Sequence, residues 1–502
     1  MFRSIGSNWA VTLATVAVVY VLMPFLLRTL GEEGYGTWTL ITSVTAYLSL
    51  LVLGVPMASV RYFAQHAAEG DRQRMNEAIG SCTGLYLIMG AAALLVGAGL
   101  FAFFDLTYEI PAALRSEARL AFGLVVLQVS AGFVTQIPFA IMAAYQDFVL
   151  RNVILMGSLL LRLGLTLGLL TFNGTMVFLA VIQIACLAFE FSVCWLLVRR
   201  RYPGIRMSLT DFDRRMVRRI FSFSLYVLML SLAGRLAFQT DSLVIAAFLD
   251  VGRIPYYAVA NSFVVYLMEF LVAIAAVVMP MATTLSAQGK SAELREMFLR
   301  WSKIALSLTL MAGLFLMVLG PRFIGWWIDP AFEGPAGEIL QILMVSSLVF
   351  LPVRGVALPI LMGLGKPGLP TIAFLAAGVL NLGLSLLLVR PLGLPGVALG
   401  TAVPNVLFAL VVLGYACREL QIPFVGYLRY VVPRAVIGSL PALALLLWFR
   451  LGLEVHSVVG LAGAGLAMAL LFGVTWVLFV YRDDPYLDLR GHLARLLAWS
   501  AA

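Results

Sequence analysis

Charged residues are scarce in this sequence. They make up 12% of its 502 residues, whereas hydrophobic residues make up 62%. Soluble proteins have about 25% charged and about 45–50% apolar residues. A hydrophilic domain is also missing, because apolar runs of about 20 residues recur along almost the entire chain. The composition therefore excludes a soluble globular protein and predicts a polytopic membrane protein.

Cysteine and histidine are scarce as well. The four cysteines lie within or at the edges of predicted helices and form no CxxC pair, so neither a disulfide framework nor a zinc site is predicted. They are Cys82, Cys186, Cys194 and Cys417. The three histidines, too scattered in sequence for a ligand set, are His66, His456 and His492. We predict no metal centre and no cofactor.

About 14 apolar runs are each long enough to cross a hydrocarbon core of about 30 Å. Their approximate bounds are 6–29, 37–64, 79–104, 117–144, 149–172, 174–198, 221–249, 256–286, 302–324, 337–363, 368–389, 394–417, 428–450 and 457–481. The first run has no small-residue cleavage site, so it is predicted to be a retained helix and not a signal peptide. The expected fold class is an all-α polytopic membrane protein.

Lys and Arg are unevenly distributed between the two sides of the membrane. Predicted loops on the side of the N-terminus contain about 24 of the 34 basic residues, and the opposite loops contain about seven. Because basic loops resist translocation, both termini are predicted to be cytoplasmic. This topology, with attraction to anionic lipid headgroups, explains the net charge of +9. Membrane lipids are therefore expected partners, and nucleic acid is not.

Two short matches indicate an internal duplication. Pro56-Met-Ala-Ser59 matches Pro280-Met-Ala-Thr283, and Ile137-Pro138 matches Leu358-Pro359, at nearly equal offsets of 224 and 221 residues. Spans two and four thus fall on spans eight and ten. Two parallel six-helix repeats are typical of transporters, whose substrate path lies between the two lobes. The predicted divisions are a six-helix lobe at 1–205, a second at 206–420, two additional helices at 421–485 and a cytoplasmic tail at 486–502.

Three arginines fall near the centres of predicted spans, namely Arg162, Arg235 and Arg354. A central arginine costs about 2.5–3.5 kcal/mol on insertion scales, so none of them is expected to face lipid. Polar residues lie one helical turn from two of them, Ser158 and Thr166 beside Arg162, and Ser231 and Gln239 beside Arg235. These polar stripes are typical of a cavity lining. Because a guanidinium group donates paired hydrogen bonds to phosphate oxygens, a cationic cavity favours an anionic substrate.

An internal ion pair is the alternative for two of these arginines. Glu190 is predicted at a membrane depth similar to that of Arg162, and Glu269 at a depth similar to that of Arg235. Arg354 has no acid at a matching depth in the spans next to it in sequence. A cavity role is therefore favoured for Arg354, while both interpretations stay open for the other two.

Two further charged residues have alternative interpretations. Arg61, at the inner end of span two, either extends to the lipid headgroups or contacts the substrate. Asp241 follows Arg235 by six residues and lies on a different helix face. It either binds a coupling ion or forms a polar contact between helices.

Several motifs resemble those of a known transporter family. They are Arg28-Thr-Leu-Gly31-Glu-Glu-Gly34-Tyr35-Gly36-Thr-Trp38, Leu53-Gly54-Val-Pro-Met-Ala58-Ser-Val-Arg61-Tyr62, Thr240-Asp241-Ser-Leu-Val-Ile245 and Tyr256-Tyr257-Ala258-Val-Ala260-Asn261. Over essentially the whole chain, the sequence resembles Wzx-type polysaccharide-repeat flippases of the multidrug/oligosaccharidyl-lipid/polysaccharide exporter superfamily. Members of this superfamily have two parallel six-helix lobes and often two added C-terminal helices.

The resemblance implies flipping of undecaprenyl-pyrophosphate-linked oligosaccharide repeat units across the bacterial inner membrane, for O-antigen, capsule or exopolysaccharide synthesis. It implies alternating access of a V-shaped cavity whose cationic centre binds the pyrophosphate. The coupling ion would be H+ or Na+, and a polysaccharide polymerase and chain-length machinery would be partners. The predicted substrate-binding residues are Arg61, Arg162, Arg235, Gln239 and Arg354. The residues predicted for ion coupling or internal ion pairs are Asp241, Glu190 and Glu269.

Other functions stay open on the sequence. A cation-coupled multidrug exporter of the same superfamily is disfavoured by the number of spans and by the central arginines. A flippase for the peptidoglycan lipid precursor is disfavoured by the Gly-Tyr-Gly motif at Gly34–Gly36. A membrane-embedded glycosyltransferase or polymerase would need a catalytic acid or base in a sizeable extramembrane loop, and the predicted loops are short. We therefore predict a transporter and not an enzyme.

Overall fold

The computed structural model describes residues 2–52, 54–213, 217, 231–453 and 457–487. Nearly all of these residues are helical, and none of them belongs to a strand. Twelve segments of this described part are long and apolar enough to cross a membrane. The chain is therefore an all-α, multi-pass membrane protein, as its composition predicts. His456, His492 and most of the predicted tail at 486–502 lie outside the described residues.

Two predicted spans account for the difference between the 14 apolar runs of the sequence and the twelve candidate spans of the structure. The first ten residues of predicted span seven, 221–230, are not among the described residues. Predicted span two is divided: its first part continues from the first helix, and a 3-10 turn at Tyr47–Val52 separates it from the next helix. Gly31 redirects the chain within the first helix at φ 71°, a left-handed conformation that glycine adopts without a steric penalty.

The described chain forms two compact units, residues 1–255 and 256–502. Between residues 214 and 230 of the first unit, the structure describes residue 217 alone. A helix that we call α7 occupies residues 231–238. The other helices of this unit are α1 Phe2–Ala46, α2 Val55–Glu69, α3 Arg72–Thr107, α4 Arg115–Ala144, α5 Phe148–Phe172, α6 Met176–Arg201 and α8 Thr240–Phe248. A 3-10 turn at Val251–Arg253 follows α8.

Small residues allow close helix packing in the first unit. A Cβ atom on Gly36 would lie 1.8 Å from the carbonyl oxygen of Val251, so α1 can approach the 3-10 turn only with glycine at this position. A Cβ atom on Gly97 of α3 would lie 2.4 Å from Val126 of α4. Such close approach is typical of membrane helices, whose association depends on van der Waals packing. Residues 231–255 thus pack within the first unit, and the predicted lobe boundary at 205/206 stays a prediction.

The second unit begins within a long helix. Its helices are α9 Ile254–Ala287, α10 Ser291–Val318, α11 Gly320–Trp327, α12 Glu333–Pro352, α13 Leu358–Gly363, α14 Gly368–Leu392, α15 Leu394–Glu419, α16 Phe424–Leu451 and α17 Val458–Thr475. Two π-helical turns interrupt the regular pattern, at Val353–Ala357 and Trp476–Val480. α16 and α17, the two helices beyond the predicted repeats, pack on α10 through a buried apolar cluster.

The duplicated motifs occupy comparable positions in the two units. The hydroxyl of Ser59 donates to the carbonyl of Val55 at 2.7 Å, and that of Thr283 to the carbonyl of Met279 at 3.0 Å. In the first unit α2 packs against α4, which carries the second motif. In the second unit the hydroxyl of Thr283 also lies 3.1 Å from the carbonyl oxygen of Gly363 in α13, which carries the matching motif. The helices with matched motifs are therefore neighbours in both units.

Candidate substrate site in the membrane

A polar cavity of about 470 Å³ lies among α1, α4, α5 and α6 in the first unit. We call it the α5–α6 cavity. Its polar lining residues are Thr15, Gln128, Ser158, Arg162, Gln183 and Glu190. Apolar side chains complete the lining, namely Val11, Leu155, Leu159, Cys186 and Leu187. The cavity therefore contains two of the predicted site residues, Arg162 and Glu190.

Helical periodicity places these side chains together. The lining residues of α5 are spaced by three and four positions between Leu155 and Arg162, and those of α6 are spaced likewise between Gln183 and Glu190. Residues at this spacing share one helix face. Ser158 and Arg162 of the predicted polar stripe thus belong to one wall of the α5–α6 cavity, whereas Thr166 is buried and is not among the lining residues. The stripe from α6 forms a second wall.

Arg162 and Glu190 share the cavity without direct contact. The Arg162 side chain is exposed. Glu190 is partly buried, and its carboxylate accepts a hydrogen bond of 2.6 Å from the hydroxyl of Ser158. Within the described part of the chain, no ion pair joins Arg162 to Glu190. The two side chains are therefore neighbours in a cavity, with the acid oriented by a serine of the opposite helix.

Arg235 lies in a different polar cluster of the first unit. Its guanidinium group donates a 2.8 Å hydrogen bond to the hydroxyl of Ser49. The hydroxyl of Tyr47 lies 3.4 Å from the carbonyl oxygen of Arg235 and 2.8 Å from the hydroxyl of Thr240. Tyr47 and Ser49 both come from the 3-10 turn that divides predicted span two. This turn supplies partners for Arg235 that the sequence pattern did not indicate.

The helix break after Arg235 brings two more predicted residues into this region. Gln239 lies between α7 and α8, and its backbone N–H donates to the carbonyl of Arg235 at 2.9 Å. Asp241 lies in the first turn of α8, and only 4% of its surface is exposed. Arg235, Gln239 and Asp241 are therefore close along one interrupted helix.

Arg354 lies in the second unit on the π-helical turn Val353–Ala357. Pro352 and Pro359 flank this turn, and each lacks the backbone N–H that a regular helix would use. The guanidinium carbon of Arg354 lies 5.1 Å from the ring centre of Phe374 and 6.0 Å from that of Phe350. Arg354 is therefore held against aromatic faces by cation–π interactions.

The remaining predicted residues lie at exposed positions. Arg61 is exposed on α2, and Glu269 is exposed on α9. Arg61 is not among the residues that line the α5–α6 cavity. Arg235 belongs to the first unit and Glu269 to the second, and the predicted pair between them stays a prediction.

The sequence analysis missed one buried charge, Lys303. No part of its side chain is exposed, and its ammonium group donates to the carboxylate of Asp484 at 2.5 Å and to the carbonyl of Val480 at 2.9 Å. The rings of Tyr430 and Tyr481 both have their centres 4.9 Å from the Lys303 nitrogen. A signal was present, because Lys303 falls just inside predicted span nine and Asp484 just beyond the last span, on the same predicted side of the membrane.

Comparison with known proteins identifies the family. A family model described as polysaccharide biosynthesis protein matches residues 1–286, more than half of the chain. The chain belongs to the polysaccharide biosynthesis protein family. This chain is similar to the uncharacterized membrane protein EpsK of Bacillus subtilis (strain 168), with 25% identity over 451 residues. That match covers 87% of this chain and 86% of EpsK.

Solved structures show the fold. The lipid II flippase MurJ in an inward closed conformation has a TM-score of 0.71 at 15% identity, covering 94% of this chain and 99% of MurJ. An inward-facing multidrug resistance MATE transporter of the MOP superfamily has a TM-score of 0.66 at 16% identity, covering 82% of this chain and 98% of the transporter.

Family and fold together confirm the resemblance to Wzx-type flippases of this superfamily. The fold is the two-lobe fold of these transporters, as predicted from the repeats. The shared fold is that of membrane transporters, which agrees with the prediction of a transporter and not of an enzyme.

Proposed function

We propose that this transporter flips undecaprenyl-pyrophosphate-linked oligosaccharide repeat units across the bacterial inner membrane. The product would be used for surface polysaccharide, namely O-antigen, capsule or exopolysaccharide. The observation that carries the proposal is that two arginines lie in candidate membrane spans and a third lies on the short helix α7, each beside polar or aromatic side chains, in a chain of the polysaccharide biosynthesis family. These arginines are Arg162, Arg235 and Arg354.

The chemistry of the guanidinium group supports an anionic substrate. Each guanidinium group stays charged at physiological pH and donates paired hydrogen bonds to phosphate oxygens. A charge at the centre of the membrane costs about 2.5–3.5 kcal/mol, and a bound anion offsets this cost. We assign Arg235 and Arg354 to the pyrophosphate, Arg162 and Gln239 to the path of the substrate, and Arg61 to its entry.

The orientation and the energy source belong to the same proposal. With basic loops retained inside, both termini are cytoplasmic, and flipping runs from the cytoplasmic to the periplasmic leaflet. The two six-helix repeats, at 1–205 and 206–420, alternate access to the substrate path. Asp241 is the candidate for H+ or Na+ coupling, because it is a buried acid one residue beyond Thr240, which contacts Tyr47. A polysaccharide polymerase and chain-length machinery would use the product.

The decisive experiment uses a deletion strain of the native host. The leaflet that contains the lipid-linked saccharides is determined in intact membranes by their accessibility to an impermeant enzyme. The saccharides are then extracted and identified. Complete undecaprenyl-pyrophosphate repeat units should accumulate on the cytoplasmic side, while surface polysaccharide disappears. Unchanged lipid intermediates with new sensitivity to cationic drugs would instead identify a multidrug exporter. Accumulation of the peptidoglycan lipid precursor would identify a flippase for that precursor.

Arginine variants test the proposed binding of pyrophosphate. Arg235→Ala and Arg354→Ala should each reduce flipping at least tenfold in the complemented deletion strain, because a charged hydrogen bond of about 1.5–3 kcal/mol is lost. Immunoblots of membrane fractions should show normal amounts of both variants. Arg418→Ala is the matched control, since Arg418 is exposed at the end of α15. Near-normal flipping by both variants would remove the assignment of these arginines.

A further inference from the structure

We propose that the α5–α6 cavity binds the sugar rings of the transported substrate and not its pyrophosphate. This inference rests on the proposed function. It assigns the two parts of the substrate to two separate binding sites. The glycan would occupy the cavity among α1, α4, α5 and α6, while the pyrophosphate would bind to arginines elsewhere. The ligand class is an uncharged or weakly charged, polyhydroxylated ring.

The charge of the cavity favours a sugar over a pyrophosphate. Its two charged lining residues are Arg162 and Glu190, so its formal charges cancel. A pyrophosphate group placed here would gain from Arg162 but would be repelled by the carboxylate of Glu190, which lines the same cavity. A sugar ring carries no comparable charge. Arg162 is therefore unlike Arg235, whose guanidinium group contacts the neutral hydroxyl of Ser49.

The hydrogen-bonding groups of the cavity match sugar hydroxyls. Arg162 can only donate and ionised Glu190 can only accept, whereas the amides of Gln128 and Gln183 can do both. The hydroxyl of Thr15 donates to the carbonyl of Val11 at 2.8 Å and can still accept from a ligand. A sugar hydroxyl both donates and accepts, so it can satisfy every one of these groups. An ionised phosphate oxygen only accepts, so it would leave the amide oxygens unsatisfied and could form no hydrogen bond with the carboxylate, which already accepts from Ser158. Unsatisfied polar groups in a binding site lower affinity.

The cavity is also built as a site and not as an incidental gap. The hydrogen bond of 2.6 Å from Ser158 fixes the carboxylate of Glu190 on the facing helix before any ligand arrives. The volume of about 470 Å³ falls within the range of about 300–1,000 Å³ that is typical of small-molecule sites. Leu155, Leu159 and Leu187 add apolar surface suited to the C–H faces of a sugar ring.

Two soluble probes separate the two parts of the substrate. One is the oligosaccharide released by mild acid from lipid-linked saccharides of the wild-type host, which lacks pyrophosphate. The other is farnesyl pyrophosphate, which lacks sugar. Binding of each probe to the purified full-length protein in detergent is measured by isothermal titration calorimetry. Gln128→Leu and Gln183→Leu remove the amide groups at nearly constant side-chain volume.

The expected result is a selective loss. Each of Gln128→Leu and Gln183→Leu should weaken oligosaccharide binding about threefold to tenfold, the effect of losing one or two neutral hydrogen bonds, and should leave farnesyl pyrophosphate binding unchanged. Gln136→Leu is the matched control, because Gln136 is exposed on the same helix, α4, and does not line the cavity. It should change neither affinity, and all three variants should keep the thermal midpoint of the wild type.

The outcomes distinguish this inference from the proposed function. Unchanged oligosaccharide binding in both cavity variants, equal weakening of both probes, or no oligosaccharide binding by the wild type would overturn the sugar site. Selective loss of oligosaccharide binding with no binding of farnesyl pyrophosphate by the wild type would support the sugar site while removing the pyrophosphate assignment. Arg235→Ala should give the reverse pattern, with weaker farnesyl pyrophosphate binding and unchanged oligosaccharide binding.

Discussion

Each unit contains a cation and an acid near one another, within a membrane span or at its edge, yet the two pairs differ in their surroundings. In the second unit, Lys303 and Asp484 are both fully buried and lie 2.5 Å apart. In the first unit, Arg162 is exposed to a cavity, and Glu190 is bound by Ser158 instead of by the arginine. The same classes of residue therefore make a closed pair in one place and an open site in the other.

The closed pair satisfies its own charges. Asp484 accepts from Lys303 and from the hydroxyl of Tyr430 at 2.8 Å, while Tyr430 and Tyr481 cover the ammonium group. Because Lys303 belongs to α10 and Asp484 follows α17, the pair attaches the last two helices to the second unit. Nothing in this arrangement requires a ligand. In the open site, by contrast, a bound molecule can satisfy Arg162.

The comparison predicts its largest effect at the closed pair. Asp484→Ala should lower the free energy of unfolding by about 3–5 kcal/mol, because it leaves the Lys303 charge buried without its counter-ion. The measurement is the thermal midpoint and denaturant stability of the purified protein in detergent. The double variant Lys303→Met with Asp484→Leu is the control, since replacing both charges by apolar groups of similar size is often neutral or stabilising. A stable single variant would show that the pair is not structural.

A smaller effect on stability is expected at the open site. Glu190→Gln keeps an oxygen that accepts from Ser158, so the free energy of unfolding should change by about 1 kcal/mol or less. Flipping should nevertheless decrease, because the cavity loses its acceptor-only group and acquires a net positive charge. Stability and transport are measured on the same preparations of protein and on the complemented strain. A loss of stability as large as that of Asp484→Ala would mean that Glu190 is structural, and the contrast between the two pairs would disappear.

The smallest effect is expected for a third pair, which lies at the surface. Lys366 and Glu419 form a direct ion pair in which the Lys366 side chain is 46% exposed. The hydrogen bond with Glu419 raises the pKa of Lys366 above its usual value, so the lysine stays charged at any physiological pH. Solvent screening nonetheless makes exposed pairs weak. Lys366→Ala should therefore leave both the thermal midpoint and flipping unchanged, and a marked loss of either would show that exposure is a poor guide to the importance of these pairs.

Most of the architecture could be predicted because it depends on local properties of the sequence. A membrane helix must satisfy its backbone hydrogen bonds internally and must be apolar over the thickness of the bilayer, so length and composition reveal it. Span two was the exception, because a 3-10 turn at Tyr47–Val52 divides an apolar run without leaving a compositional signal. The motif glycines were recognised by resemblance alone. Their physical reason, such as the approach of Gly36 to Val251, depends on a distant part of the chain.

The candidate site was predictable only in part. The polar stripe beside Arg162 could be identified from helical spacing within α5. Its opposite wall on α6, and the hydrogen bond between Ser158 and Glu190, could not be inferred, because sequence gives membrane depth but not side-chain direction. Lys303 was overlooked for a related reason: a lysine near the end of a span usually extends to the headgroups, and here a buried acid retains it.

The amino-acid sequence by itself determined that this chain is a helical membrane protein with duplicated halves and a surplus of cationic groups. Each membrane-spanning segment must be long and apolar enough on its own, so these properties can be read segment by segment. Only the tertiary structure decided which charges are closed into pairs and which face a cavity. That decision depends on residues far apart in sequence, such as Lys303 with Asp484 or Ser49 with Arg235. A charge is neutralised by hydrogen-bonded partners at about 3 Å, so depth in the membrane alone cannot distinguish a neutralised charge from one available to a ligand.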